Sequence, residues 1–248
     1  MNGSSQYANR HPLLRKIESI ALFALSAEEC AALEALPMQA ALIDADQDIV
    51  REGDRPGRSF AVISGIASTY KTTRAGKRQV MSYHVPGDVP DFQSLHLQTL
   101  DISIAAVTPC SIGYVQHDAV RALFRAQPRL TEVFWRATLI DAAIVREWTL
   151  NTGRRDAYAR MAHLLCELVT RLEAVGLAPD LSCDLPMTQP ELADALGITP
   201  VHVNRTIRDL KAAGLLTLRN RHLTVHDWDG LVAAAEFDPT YLHLRQEA

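Results

Sequence analysis

Near residue 200, five side chains carry the chemistry for reading the edges of bases. In PVHVNRTIRDLKAAG (200–214), Val201, Arg205 and Arg208 recur at i, i+4 and i+7, with His202 and Asn204 beside them. In a helix that spacing places them on one face. An arginine can donate two hydrogen bonds to guanine O6 and N7, an asparagine can pair with adenine N6 and N7, and a valine can touch a thymine methyl. Val203, Ile207 and Leu210 are apolar at i, i+4 and i+7 and are expected to face a core.

The flanking residues supply what such a helix needs. Thr199 is a candidate N-cap, and Pro200 falls in the first turn, where a missing amide is harmless. Gly214 is the expected stop. Upstream, Thr188 and Glu191 have capping-box spacing and open a shorter helix carrying Leu192, Ala193 and Leu196, which Gly197 ends. Two helices joined by a short glycine turn predict a helix-turn-helix. Downstream, LLTLRNRHLTVH (215–226) reads as a two-stranded hairpin with Asn220 at its tip between Arg219 and Arg221, a wing able to touch phosphates. Thr188, Gln189, Thr199 and His202 are candidate phosphate contacts, joined by Arg219 and Arg221. An ordinary αα-hairpin with a solvated charged face would also expose polar residues. The capping box, glycine turn, Thr-Pro start, basic face and hairpin would then all coincide by chance.

Charge must be counted locally. The 248 residues carry a net charge of −4, which by itself does not point to nucleic acid. Between 186 and 222, however, five Lys/Arg stand against three Asp/Glu, a net of +2, and the acidic remainder conceals this basic element.

The elements that must hold this reader fall into three zones, with expected boundaries at 1–126, 127–152 and 153–248. The first is β-rich: short apolar runs at Ile49–Val50, Phe60–Ile63, Ile66–Tyr70, Gln79–His84, Ile102–Val107 and Ser111–Val115 are separated by Gly, Pro and Asp turns, which argues for a sandwich or barrel. A helix over Ala27–Leu36, capped by Ser26, precedes them. In the second zone Val133, Ala137, Ile140, Ile144 and Trp148, widened by Leu130 and Phe134, form a stripe of period near 3.5 to 3.6 residues, buried against a partner or against the helix's own domain. Gly153 interrupts this pattern and is a candidate hinge. A second amphipathic helix follows from about Ala157 to Ala174, with Met161, Leu164, Leu165, Leu168 and Leu172 on one side.

Other chemistries lack their residues. Cys30, Cys110, Cys166 and Cys183 form no CxxC pair for zinc or an iron–sulfur cluster and read as plain thiols. A metal-dependent cupin enzyme on a β-roll would need an HxH pair, and none occurs among the nine histidines. No GxSxG or P-loop motif is present. Catalysis is therefore not expected. No apolar run approaches the ~18 residues of a membrane span, and the N-terminus has no apolar signal core, so the cytoplasm and no membrane partner are expected.

Over about residues 12–232 the chain resembles the Crp/Fnr family of bacterial transcription regulators. IVREGDRPGRSFAVISG (49–65) is similar to the family's cyclic-nucleotide-binding-type β-roll signature, and RAGKRQVMSYHVPGD (74–88) to its next hairpin. TGRRDAYARMAHLL (152–165) resembles the stretch after the long dimerisation helix, and TPVHVNRTIRDLKAAGLL (199–216) the recognition helix. The resemblance implies an α+β chain with an N-terminal double-stranded β-helix (a jelly-roll-like β-roll), a long dimerisation helix and a C-terminal winged helix-turn-helix. It implies a homodimer on double-stranded DNA at a palindromic operator, and RNA polymerase as a further partner if the protein activates. A signal in the β-roll would shift the dimer helix and set the two recognition helices about one DNA turn, roughly 34 Å, apart.

The effector cassette departs from the family. In cyclic-AMP-binding members a Gly-Glu pair and an Arg-Ser pair hold ribose and phosphate. In GDVPDFQSLHLQTLDISIAAVTPC (87–110) the first pair becomes Pro90-Asp91, followed by Phe92, and the second becomes Leu100-Asp101. Losing one charge-assisted partner costs about 1.5–3 kcal/mol, and a carboxylate facing the phosphate adds repulsion. Cyclic AMP is therefore not the expected ligand; these five residues mark the effector pocket, and an unknown small-molecule effector, a protein signal and constitutive binding controlled by abundance stay open. No cofactor is expected, although haem stays open because His84 or His96 can supply an axial ligand. In the recognition helix, Pro200-Val201 replaces residues that read bases in well-known members, while Arg205 matches the family's arginine. A signalling adaptor whose helix-turn-helix binds only protein is the remaining alternative. Steep salt dependence of duplex binding would argue against it.

Overall fold

The computed structural model describes residues 10–245. The chain divides into two compact units: one holds the described parts of Met1–Lys71, Tyr83–Ala142 and His243–Ala248, the other Thr72–Ser82 and Ala143–Leu242.

Most of the first unit is a β-roll. Its strands are β1 (Gln39–Ile43), β2 (Asp48–Val50), β3 (Arg58–Ser64), β4 (Ala67–Thr72), β5 (Arg78–His84), β6 (Ser103–Ala106) and β7 (Cys110–Gln116). Of β5, residues Arg78–Ser82 fall in the second unit. They pair as a three-stranded sheet, β1-β7-β3, and a four-stranded sheet, β2-β6-β4-β5. In the antiparallel β3–β7 pair, Phe60 lies opposite Tyr114 and Val62 opposite Ile112. Alternate residues therefore face inward, and Val50, Phe60, Val62, Leu100, Ile104 and Ile112 form the roll's core. Gly65, at φ +86°, makes the β3–β4 turn, and a Cβ there would meet the Pro109 carbonyl oxygen at 2.5 Å. Strand β1 has no counterpart among the expected strands, because Ala40 and Ala41 are weakly apolar and its burial alternates only partially.

Helices α1 (Pro12–Ile20) and α2 (Ala27–Glu34) precede the roll. Leu13, Leu14, Ile17 and Ile20 of α1 are buried. Ser26 and Glu29 cap α2 reciprocally: the Ser26 amide donates to Glu29 Oε2 at 2.7 Å and the Glu29 amide to Ser26 Oγ at 3.1 Å.

After α3 (His117–Ala126) comes the 27-residue α4 (Pro128–Arg154). Gly153 does not break it; the chain leaves the helix after Arg154, and Asp156 caps the next one. The expected stripe on α4 is buried within this chain: Leu130, Val133, Phe134, Ile140, Ile144 and Trp148 are at most 7 % exposed, so they form core and not a partner seam. Phe92, Phe124 and Phe134 cluster with ring centroids 5.1–6.1 Å apart.

The second unit holds α5 (Ala157–Ala174), β8 (Ser182–Asp184), α6 (Gln189–Leu196), α7 (Pro200–Ala212), β9 (Leu216–Arg219), β10 (His222–Val225) and α8 (Trp228–Ala235). Met161, Leu164, Leu165, Leu168 and Leu172 of α5 are buried as expected. Beneath them Glu167 is fully buried; it accepts from Trp148 Nε1 at 2.9 Å and Tyr241 Oη at 2.7 Å, and pairs with Arg171 at 3.1 Å. The four cysteines are free thiols, and burial pushes Cys166 up to about 12 and Cys183 up to about 11. Cys30 is only half-buried. No helix among the described residues is long and apolar enough to cross a membrane.

Candidate nucleic-acid interface

Helix α6 starts where its residues dictate. The Thr188 amide donates to Glu191 Oε2 at 2.6 Å, and the Glu191 amide donates to Thr188 Oγ1 at 3.4 Å. The Thr188 hydroxyl also donates to Glu191 Oε2 at 2.8 Å, so its proton is already engaged within the cap. Gln189 beside it is exposed. Gly197 ends α6 in the left-handed region, at φ +64°. Two residues later Thr199 caps α7, its Oγ1 accepting from the His202 amide at 3.3 Å.

Helix α7 sorts its residues by face. Val203, Thr206 and Leu210 are buried and hold it to the unit. Ile207, expected in the core, is half-buried, and Thr206 takes the interior position. Val201, at 80 % exposure, is among the most exposed large apolar side chains described. Asn204, Arg205 and Arg208 are exposed with it, so the candidate base-reading residues share one outward face. His202 is half-buried, and its Nε2 accepts a hydrogen bond from Arg205 Nη2 at 2.9 Å. The histidine thus braces the arginine, a role its sequence position alone does not disclose.

The wing is a tight hairpin. Arg219 pairs with His222 across a two-residue turn, and Asn220 and Arg221 both have positive φ, +51° and +62°. That pair of conformations matches the twist of the strands, and Asn tolerates it well. Arg219 and Arg221 are both exposed. β8 completes the sheet in the order β8-β10-β9, and Lys211 Nζ donates to the Leu218 carbonyl at 2.7 Å, tying wing to α7. Together α7 and the wing present Arg205, Arg208, Arg219 and Arg221 to solvent on a framework of capped helices.

The candidate effector residues do not gather in one place. Leu100 is 1 % exposed and sits in the apolar core of the roll, where a phosphate has no room. Phe92 belongs to the aromatic cluster. Pro90 is buried, and Asp101 is exposed with its carboxylate 3.7 Å from Lys71 Nζ. Asp91 alone lines a cavity of about 410 Å³, together with Ile49, Val50, Arg55, Arg58 and Tyr114. Its Oδ1 accepts from the Phe60 amide at 3.0 Å, yet burial pushes its carboxyl up to about 7. Arg58 was not among the candidate residues. The signal for it was parity: it shares the inward face of β3 with Phe60 and Val62, an odd place for an arginine. Of the two candidate haem histidines, His84 is buried with Nε2 2.7 Å from Thr69 Oγ1, and His96 is exposed.

Comparison with known proteins accounts for both units. Residues 159–234 match the family of Crp-like helix-turn-helix domains, and residues 42–127 match the cyclic nucleotide-binding domain family. Transcriptional activator protein FnrL of Cereibacter sphaeroides is 29 % identical over 215 residues, which cover 85 % of this chain and 86 % of that protein. Transcriptional activator protein Anr of Pseudomonas aeruginosa is 23 % identical over 211 residues, covering 85 % and 86 %. The structure of FixK2 from Bradyrhizobium japonicum shares the fold, with a TM-score of 0.72 at 23 % identity over 79 % of this chain and 96 % of that one. With both domain families in this order on one chain, and relatives aligned along most of it, the chain belongs to the Crp/Fnr family of DNA-binding transcription regulators.

Proposed function

We propose that the protein acts as a homodimer that reads a palindromic operator through α7 and answers a signal at its β-roll other than cyclic AMP. The observation that carries the DNA half is the outward face of Val201, Asn204, Arg205 and Arg208, with Arg205 braced by His202. In this reading Arg205 contacts a guanine, Asn204 assists on a neighbouring base and Val201 adds an apolar preference. Gln189, Thr199, Arg219 and Arg221 lie against phosphates, Thr188, expected among them, spends its donors on the cap of α6, and His202 positions Arg205.

The dimer half draws on α4. With the expected stripe buried, the helix leaves another one open: Trp135, Leu139, Ala142, Arg146 and Thr149 step by 4, 3, 4 and 3 residues and are all exposed. Trp135 is 67 % and Leu139 57 % exposed. A step of 3.5 residues per turn is the seam of a two-helix coil, and a polar residue within it fixes register. A second copy of α4 is the occupant that matches it. Residues 1–126 then serve as sensor, α4 (Pro128–Arg154) as dimerisation helix and the residues after it as DNA reader, the expected boundary at 152/153 moving to the end of the helix.

The signal at the sensor is not cyclic AMP in this reading, since Leu100 stands where the resemblance implies a phosphate-binding arginine. The role is regulatory and not catalytic, and the site of action is the cytoplasm. If the protein activates, RNA polymerase is its further partner.

The test is selection of duplex fragments from a random pool by the full-length protein. A two-fold symmetric motif is expected. Arg205→Ala should weaken the selected site by about 1–3 kcal/mol and relax one base per half-site. An unchanged motif with Arg205→Ala overturns the assignment.

A further inference from the structure

The cavity in the β-roll has a composition that selects among ligands. We propose that it is a binding site for a small monocarboxylate with an apolar body, gripped by Arg58. This deepens the sensor reading above and rests on it for the ligand's role as effector.

Three observations carry the proposal. The first is the state of Arg58. Its guanidinium carbon lies 3.6 Å from the centroid of the Tyr114 ring, so the flat cation is stacked and held. No hydrogen-bond or ion-pair partner for that guanidinium is found among the described residues. A stacked guanidinium keeps its in-plane N–H donors free, the geometry that grips a carboxylate with two parallel hydrogen bonds.

The second is charge. Arg55 adds another cation at the cavity, its Nε donating to Thr99 Oγ1 at 3.1 Å. Against these stand Asp54, whose Oδ2 accepts from the Arg51 amide at 2.8 Å within its own turn, and the buried Asp91. Burial disfavours the ionised form of Asp91, so Asp54 offsets one arginine and one added negative charge balances the other. A phosphate dianion would face two carboxyl groups across the same space, which disfavours it.

The third is shape. A cavity of about 410 Å³ lies within the range of small-molecule sites. Ile49, Val50 and the ring of Tyr114 supply the apolar part of a lining that is otherwise polar, room for a short aliphatic or aromatic body beside the arginines. Leu100, Phe60 and Ile112 belong to the packed core of the roll and do not line the cavity. Of the five residues aligned with the cyclic-nucleotide cassette the cavity uses only Asp91.

The experiment is calorimetric titration of the full-length protein with hexanoate and benzoate, against hexanamide, benzamide, inorganic phosphate and cyclic AMP at matched ionic strength. At least one acid should bind saturably below about 1 mM, with its amide at least tenfold weaker, because only the acid can use the charged fork. Arg58→Gln should weaken the acid at least tenfold and Arg58→Lys by less, with melting midpoints confirming that each variant folds. Neither acid binding below 10 mM overturns the site, as does an amide binding as well as its acid, or a folded Arg58→Gln protein binding undiminished. Competition by phosphate or cyclic AMP at equal concentration overturns the ligand class. If Arg58→Gln does not fold, the acid-against-amide comparison on the unaltered protein decides alone. Acid that binds yet leaves affinity for the selected duplex unchanged within twofold overturns its role as effector and leaves DNA recognition untouched.

Discussion

Asp91 gives the sharpest quantitative test of how the β-roll is built. The carboxyl is 1 % exposed and is pushed from 3.8 to about 7 by burial, against the pull of the Phe60 amide and its own amide. Holding the ionised form in the fold therefore costs about 4 kcal/mol relative to the unfolded chain. The sign follows from proton counting. The folded state binds this proton more tightly than the unfolded state, so the stability it supports is complete below about pH 4 and is lost as pH rises to about 7. Between pH 5 and 7 the loss is about 2 kcal/mol, and between pH 7 and 8 only a few tenths. Asp91→Asn keeps an oxygen for the Phe60 amide and removes the titration. Its own penalty, an amide N–H pair that needs acceptors, is about 1–3 kcal/mol and does not depend on pH. Urea unfolding at pH 5, 6, 7 and 8, at one protein concentration, should show the variant gaining on the wild type by about 2 kcal/mol from pH 5 to 7 and then running parallel. Curves parallel over the whole range within about 0.5 kcal/mol would refute the reasoning, because the carboxyl would then ionise as easily inside as outside.

Three further outcomes are expected. Leu139→Glu places a charge on the exposed seam of α4; sedimentation should show a monomer, with affinity for a two-half-site duplex falling at least tenfold, while the circular dichroism spectrum of the folded monomer stays that of the wild type because Leu139 is not core. Glu167→Ala removes the acceptor shared by Trp148 and Tyr241 and half of the buried pair with Arg171, and should cost about 3–5 kcal/mol in denaturant unfolding. Arg219→Gln combined with Arg221→Gln should weaken all duplexes alike and lower the slope of log affinity on log salt by about 1 for each phosphate that is no longer neutralised, leaving the selected motif unchanged.

The DNA-binding half was legible because its signals are local. Thr188 with Glu191, Gly197, Thr199 with Pro200, and Asn220 with Arg221 each act within a few residues, through backbone amides and φ angles that the side chains themselves determine. The strands of the roll after β1 were legible for the same reason, since Gly and Pro turns punctuate them, whereas β1 lacks an apolar run to mark it. What sequence spacing does not reveal is which of two periodic stripes on α4 faces inward. Val133, Ile140 and Ile144 form one of period near 3.6, Trp135, Leu139 and Ala142 another of period 3.5, and only the packing of distant segments chooses between them. The cavity was hidden for a related reason. Arg55 and Arg58 stand beside Pro56 and Gly57 in a turn and read there as solvated charge. Only the pairing of β3 with β7, more than fifty residues on, sets Arg58 over Tyr114.

That pairing also sets where charge and hydrocarbon sit within the roll. The register opposes Phe60 to Tyr114 and Val62 to Ile112, so the inward row of β3 runs Arg58, Phe60, Val62 and that of β7 runs Gln116, Tyr114, Ile112. Polarity rises along both rows toward the same end. Leu100 belongs to the apolar core, and its backbone is clamped to the Gly53–Asp54 turn, accepting from the Gly53 amide at 2.8 Å and donating to the Asp54 carbonyl at 2.9 Å. An arginine at position 100 would push a guanidinium among Val62, Ile104 and Ile112, with nothing in that core to neutralise it. Leu100 and Arg58 are thus two sides of one arrangement: hydrocarbon in the packed core, cation at the cavity. Leu100→Arg should accordingly destabilise the roll by several kcal/mol and not restore cyclic-AMP binding. A folded Leu100→Arg protein that bound the nucleotide would show that polarity along these rows does not govern where the ligand's charge is held.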